Sequence, residues 1–176
     1  MFILAMLLTL YAPSAGQPLA EGRKAAAFKV YYGDEAALDS STLSGSVLVI
    51  TYETKNAVEK NRPFKNAVLA WCASSDNKSG AVAPVPVVSC FKYAGPIADI
   101  CKKGVQYYSK KEGLQLYVDR DGKMFNAFSM QDKESNIVII DKKGFIRFQG
   151  SGKIPDAEIS RLIQLIRELA GEPAAP

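Results

Sequence analysis

Histidine is absent from all 176 residues, and this excludes more chemistry than any motif in the chain supplies. Imidazole is the commonest general base near neutral pH and the commonest transition-metal ligand. Ser-His-Asp and Cys-His catalysis are therefore excluded within the chain, and zinc or haem sites of the usual kinds are argued against. Cysteine is scarce: Cys72, Cys90 and Cys101 are the full set, and none belongs to a C-x-x-C pair. A glycine-rich phosphate cradle is lacking too. Gly150-Ser151-Gly152-Lys153 has no upstream P-loop glycine and precedes the last helix, so it reads as a loop. Asp119-Arg120-Asp121-Gly122 lacks the third acidic position and the distal glutamate of a calcium loop, and reads as a solvated turn. No metal and no cofactor are expected.

Charge of one sign is not concentrated either. The formal net charge is +4, with Lys and Arg interspersed among Asp and Glu, whereas a nucleic-acid partner calls for a basic stripe or face. A composition 48% hydrophobic and 23% charged suits one globular domain able to bury a core of its own. The apolar run Phe2–Leu10, broken only by Thr9 and followed by small residues and a proline, is too short to span a bilayer. It reads as a signal-peptide core without the usual basic n-region, cut near Ser14–Gly16. An uncleaved amphipathic anchor or a buried strand is the alternative. No later segment is long and apolar enough to cross a membrane, so no stable insertion is expected after cleavage.

What is present is an alternation of strand and helix signals. Residues 17–27 read as a linker, Phe28–Tyr32 as a short strand and GDEAALDSSTLSGS as turn material. The unbroken apolar run opening Val47–Tyr52 predicts a strand buried on both faces. Asn56 is a good N-cap with Glu59 three positions on, predicting a helix start there. Phe64, Val68, Trp71 and Cys72 follow at helical spacing, and Pro63 either kinks that helix or begins a second segment.

Val85–Tyr93 is the next strand. Pro96 opens a helix whose Ile97, Ile100, Cys101, Val105 and Tyr108 are expected inward. Leu114–Val118 is a strand, Lys123–Met130 a short helix or turn, and Asn136–Ile140 a further buried strand. Asp141–Gly144 (DKKG) turns into FIRFQ, an antiparallel partner, and Ile159, Leu162, Ile163, Ile166 and Leu169 mark one face of a closing helix. The result is a layered α/β domain with a mixed sheet. Tyr31, Tyr32, Tyr107 and Tyr108 either line a ligand groove or pack in the core with hydroxyls at the rim.

That order, with Leu43-Ser44-Gly45 before the first buried strand and the strand–DKKG–strand–helix ending, resembles the thioredoxin-like fold of exported thiol-disulfide and peroxiredoxin-type proteins. TYETKNAVEKNRPFKNA together with DKESNIVIIDKKGFIRFQGSGKIPDAEISRLIQLI is similar to the YtfJ family of periplasmic proteins, over Phe28–Leu169. The resemblance implies a three-layer sandwich with a mixed central sheet and a C-terminal helix. It gives a domain over 28–170 after a signal peptide (1–16) and linker (17–27), with a disordered tail (171–176).

In active proteins of this fold the nucleophilic thiol sits at the start of the first helix, where the helix end stabilises a thiolate. By position that slot falls on or near Asn56, with Glu59 near the place of the resolving thiol. The cis-proline that active members carry just before the strand equivalent to Asn136–Ile140 is replaced by Glu134-Ser135-Asn136. The resemblance therefore implies an exported, redox-inactive binding or accessory protein. Its corner of Glu53, Thr54, Lys55, Asn56 and Glu59 is expected to face Ser135 and Asn136 across a shallow groove that takes a protein or peptide partner in the cell envelope. The alternative is a thiol-dependent oxidoreductase or peroxidase using cysteines outside a C-x-x-C. For those cysteines two readings stand, small buried hydrophobes or a structural Cys90–Cys101 bridge that leaves Cys72 over.

Overall fold

The computed structural model describes residues 21–33, 35–74 and 80–171. The stretch 1–16 read as a signal peptide and residues 172–176 of the expected tail lie outside them. The chain runs β1 (Lys29–Tyr32), β2 (Glu35–Asp39), a 3-10 turn (Ser40–Leu43), β3 (Val47–Glu53), α1 (Arg62–Ala73), β4 (Val82–Ser89), α2 (Pro96–Glu112), β5 (Tyr117–Asp119), α3 (Lys123–Ala127), β6 (Asn136–Ile140), β7 (Ile146–Ser151) and α4 (Asp156–Ala170).

The strands form one sheet in the order β2-β1-β5-β4-β3-β6-β7. β3, β4 and β5 are parallel, and β6 returns antiparallel to β3 from Leu48↔Ile140 to Tyr52↔Asn136. Every residue of β3 and of β6 is buried, which explains their unbroken apolar sequences: each lies inside the sheet with helices or loops over both faces. Both parallel crossovers step the same way along the sheet, so right-handed connections put α1 and α2 on one face. With α4 beside it, α1 covers a core of Val47, Val49, Phe64, Val68, Trp71, Ile137, Ile139, Leu162 and Ile166. The opposite face holds Leu48, Ile50, Tyr52, Val85, Val87 and Val138 with Phe28 and Val30, packed against Met124 and Phe128 of the α3 region.

Pro84 and Pro86 sit inside β4, where a proline normally costs a ladder bond. Their nitrogens share one side of the strand, and β5 pairs with β4 only from Val87 onward, so no partner strand is deprived of a donor there.

Four sequence expectations need correction. The first helix does not start at Asn56: Thr54–Asn61 winds through successive turns, with Ala57 N–H bonding Thr54 O at 2.9 Å and Lys60 N–H bonding Ala57 O at 3.0 Å. The helix begins at Arg62 with Pro63 in its first turn, because a proline is pre-set for that place and blocks a helix from continuing through it. Glu35–Asp39 is a strand rather than turn material, an edge strand held by pairing with β1. Ile97, Ile100 and Tyr108 of α2 face solvent, and Cys101, Val105 and Ser109 face the sheet instead. Asp119 is fully buried rather than part of a solvated turn.

The stretch read as a linker is, over 21–27, tied to the last hairpin: Ala25 N–H bonds Gly144 O at 2.9 Å, Ile146 N–H bonds Arg23 O at 2.9 Å, and Gly22 N–H bonds Ile146 O at 2.7 Å.

Candidate functional site

β3 and β6 run antiparallel, and Tyr52 at one end of their pairing stands opposite Asn136. That register brings Glu53, the last residue of β3, beside Ser135, just before β6. Both are buried, and Ser135 Oγ donates to Glu53 Oε1 at 2.6 Å. The other Glu53 oxygen accepts from Lys65 Nζ at 2.7 Å, one turn into α1, and Lys65 also donates to Val58 O in the preceding loop. Asn61, the residue before α1, completes the cluster. Its amide nitrogen donates to Ser135 Oγ at 2.9 Å and to Gly152 O at 2.8 Å, and its oxygen accepts from Ile154 N–H at 2.8 Å.

Asn136, also buried, accepts from Gln131 N–H at 2.7 Å and Ser151 Oγ at 2.6 Å, and donates to Gln131 O at 2.9 Å. Just before β6, Ser135 is thus held between Glu53 and Asn61.

The sequence-derived residues therefore divide. Glu53 and Ser135 come together as buried members of a bonded network and not as walls of an open groove, and Asn136 beside them is buried in separate bonds to Gln131 and Ser151. Lys55, Asn56 and Glu59 are exposed on the turns outside it. Glu59 forms an ion pair with Arg62, and the guanidinium holds its carboxyl below the usual range. Thr54 Oγ1 is buried without a hydrogen-bond partner. Asn61 and Lys65 were missed by the sequence reading. The signal for Asn61 was present in Asn61-Arg62-Pro63, an N-cap residue followed by a proline in the first turn.

A second polar cluster lies under the sheet's other face. Asp119 accepts from Tyr52 OH, Gly122 N–H and Phe125 N–H, each at 3.0 Å. Burial pushes its pKa up against those bonds, and burial likewise pushes the Tyr52 hydroxyl well above its ordinary value. Gly122 is required there: its φ is +72°, and a Cβ would stand 2.7 Å from the Phe91 ring. This aspartate ties β5 to α3 and β3 and stays closed to solvent.

Cys90, at the end of β4, and Cys101, in the second turn of α2, form a disulfide with Cα atoms 6.0 Å apart. Cys72 remains a half-buried thiol on α1, its pKa pushed up by burial, the opposite of an activated nucleophile. Among the described residues, no three His, Cys, Asp or Glu side chains converge where a metal ion would sit. Also among them, no helix is long and apolar enough to cross a membrane.

The fold is thioredoxin-like. A Chlorobium tepidum protein named for the thiol:disulfide interchange protein DsbE superposes with a TM-score of 0.66 at 18% identity, covering 87% of this chain and 99% of that one. A Bacteroides thetaiotaomicron protein named for protein disulfide isomerase superposes at 0.60 and 20% identity, covering 91% and 96%. Residues 97–169, the C-terminal part of the chain, match the model of the family described as "Bacterial protein of unknown function (YtfJ_HI0045)". An uncharacterized protein of Haemophilus influenzae is 32% identical over 68 residues, 39% of this chain, and that match spans 35% of the relative's length.

Proposed function

We propose that this protein is an exported thioredoxin-like binding or accessory module that does not exchange disulfides at the fold's customary corner. The observation that carries the reading is the corner itself. Glu53, Ser135, Asn61 and Lys65 satisfy one another there, and neither Asn56 nor Glu59 offers a thiol. A disulfide-exchange site needs an accessible thiolate beside a helix N-terminus. Here the helix start is occupied by an asparagine side chain spanning three segments. Export accords with the short apolar opening of the sequence, and the Cys90–Cys101 bridge suits an oxidising compartment. Partners would then be proteins or peptides of the cell envelope, met through surface contacts.

The second reading, a thiol-dependent oxidoreductase, has one observation in its favour: Cys90 and Cys101 are already bonded, and Cys101 is the more accessible of the two. Crosslinking in the native cell envelope through a photoreactive residue at Lys55 separates the readings. Capture that persists when all three cysteines are serine supports a binding module. Adducts formed only through Cys90 or Cys101, and released by reductant, support the oxidoreductase.

A further inference from the structure

Five large apolar side chains are conspicuously exposed among the described residues, and they lie within one short stretch: Tyr93, Ile97, Ile100, Tyr107 and Tyr108, between 45% and 69% exposed. Four of them belong to α2. Ile97, Ile100, Gly104, Tyr107 and Tyr108 recur at three- and four-residue steps, so they share the outward face, and Gly104 leaves open space in the middle of it. The inward face is thin by comparison. Only Val105 and Ser109 are buried, and the Cys90–Cys101 bridge supplies the covalent hold. The helix thus stands as a convex ridge about 25 Å long with its larger apolar stripe turned away from the protein.

Charge decides what such a ridge suits. Lys103 and Lys110, seven residues apart, are exposed along one flank, and Lys111 reaches over the Tyr108 ring at 5.8 Å. Asp99 is engaged by Lys102 at 2.8 Å, and Glu112 is exposed at the end of the helix on the opposite flank, so the Lys103–Lys110 flank is net basic. A second copy packed antiparallel on this face would oppose lysine to lysine. Isoleucines between tyrosines, edged by long-stemmed lysines, match the make-up of a helix lying in a lipid interface: apolar bodies enter the acyl boundary, while hydroxyl and ammonium tips stay with the headgroups.

We propose that the outer face of α2 is a peripheral docking surface for an anionic lipid bilayer. The helix lies parallel to the membrane plane, Ile97, Ile100 and Tyr107 enter the interface, and Lys103, Lys110 and Lys111 meet the headgroups. This docking is independent of whether the protein exchanges disulfides, and it is not insertion across the bilayer.

The test is co-sedimentation of the full chain with phosphatidylglycerol-rich vesicles and with pure phosphatidylcholine vesicles. All variants carry the same N-terminus, so any contribution of the apolar opening cancels. Wild type is expected to partition more strongly onto the anionic vesicles, and less so as salt is raised. Ile100→Glu/Tyr107→Glu is expected to lose about ten-fold or more of that partitioning with an unchanged melting temperature, both sites being exposed. Lys103→Glu/Lys110→Glu should weaken binding by at least about ten-fold on anionic vesicles only. Equal partitioning of wild type and Ile100→Glu/Tyr107→Glu would overturn the proposal, as would wild type that ignores anionic vesicles. So would a lipid-free dimer abolished by the same double variant, or an acidic protein partner seated on this face without vesicle binding.

Discussion

Ser135 Oγ lies 2.6 Å from Glu53 Oε1, joining residues 82 apart in sequence at the point where β3 ends and β6 begins. This bond ties together the corner where the two strands meet. It also makes that corner a stabilising element, since each member of the network holds a buried partner that would otherwise be unsatisfied.

Glu53→Ala is therefore expected to destabilise the protein by about 3 kcal/mol, because it leaves Lys65 largely buried without its carboxylate. Replacing both partners, as Glu53→Leu with Lys65→Met, should recover much of that loss. Urea denaturation of the three variants checks this. A cost below about 0.5 kcal/mol for Glu53→Ala would mean that the pair behaves as a surface ion pair.

A cysteine placed at Asn56 or Glu59 should titrate like an ordinary solvent-exposed thiol. Both positions lie in turns before the helix, which begins only at Arg62, so the N–H groups that depress a thiolate pKa are not aimed at them. The pH dependence of iodoacetamide alkylation reads this directly. A thiol at either position reactive at pH 6 would show that the turns present donors after all.

Asp141 gives a pH signature remote from the corner. Burial pushes its carboxyl up, but the N–H groups of Phe145 and Lys143 and the Arg147 guanidinium outweigh burial and hold it below the ordinary value of 3.8. A carboxyl depressed in the folded state contributes stability that is complete above its unfolded pKa and is lost as pH falls through the folded one. Asp141→Asn should thus cost about 2 kcal/mol at neutral pH. Thermal melts should show the gap to wild type narrowing below about pH 4.

How much of this was legible beforehand differs by element, for physical reasons. The apolar runs at 47–50 and 137–140 revealed buried strands, since only a strand covered on both faces sustains them, and DKKG marked the hairpin because a tight turn needs that chemistry. Glu35–Asp39 was opaque: an edge strand takes its conformation from its neighbour, and E-A-A-L-D has little preference of its own. The spacing of Ile97, Ile100, Cys101, Val105 and Tyr108 showed that α2 is helical but not which stripe is covered, because periodicity reports a shared face and not its burial. At the corner, strand order was enough to set Glu53 against Ser135. Their burial depended on Asn61 reaching Gly152 and Ile154, contacts across 91 and 93 residues that no local pattern encodes.

The most direct measurement of the central claim is turnover: insulin-disulfide reduction and peroxide consumption by the wild-type protein, set against Cys72→Ser/Cys90→Ser/Cys101→Ser shown by circular dichroism to be folded. Losing the bridge should lower stability by about 2–4 kcal/mol, so the comparison is made well below the variant's melting temperature. Equal background rates for the two proteins are the predicted result. A wild-type rate well above background that disappears with Cys90→Ser or Cys101→Ser alone would contradict the account and make that disulfide the working centre of the molecule.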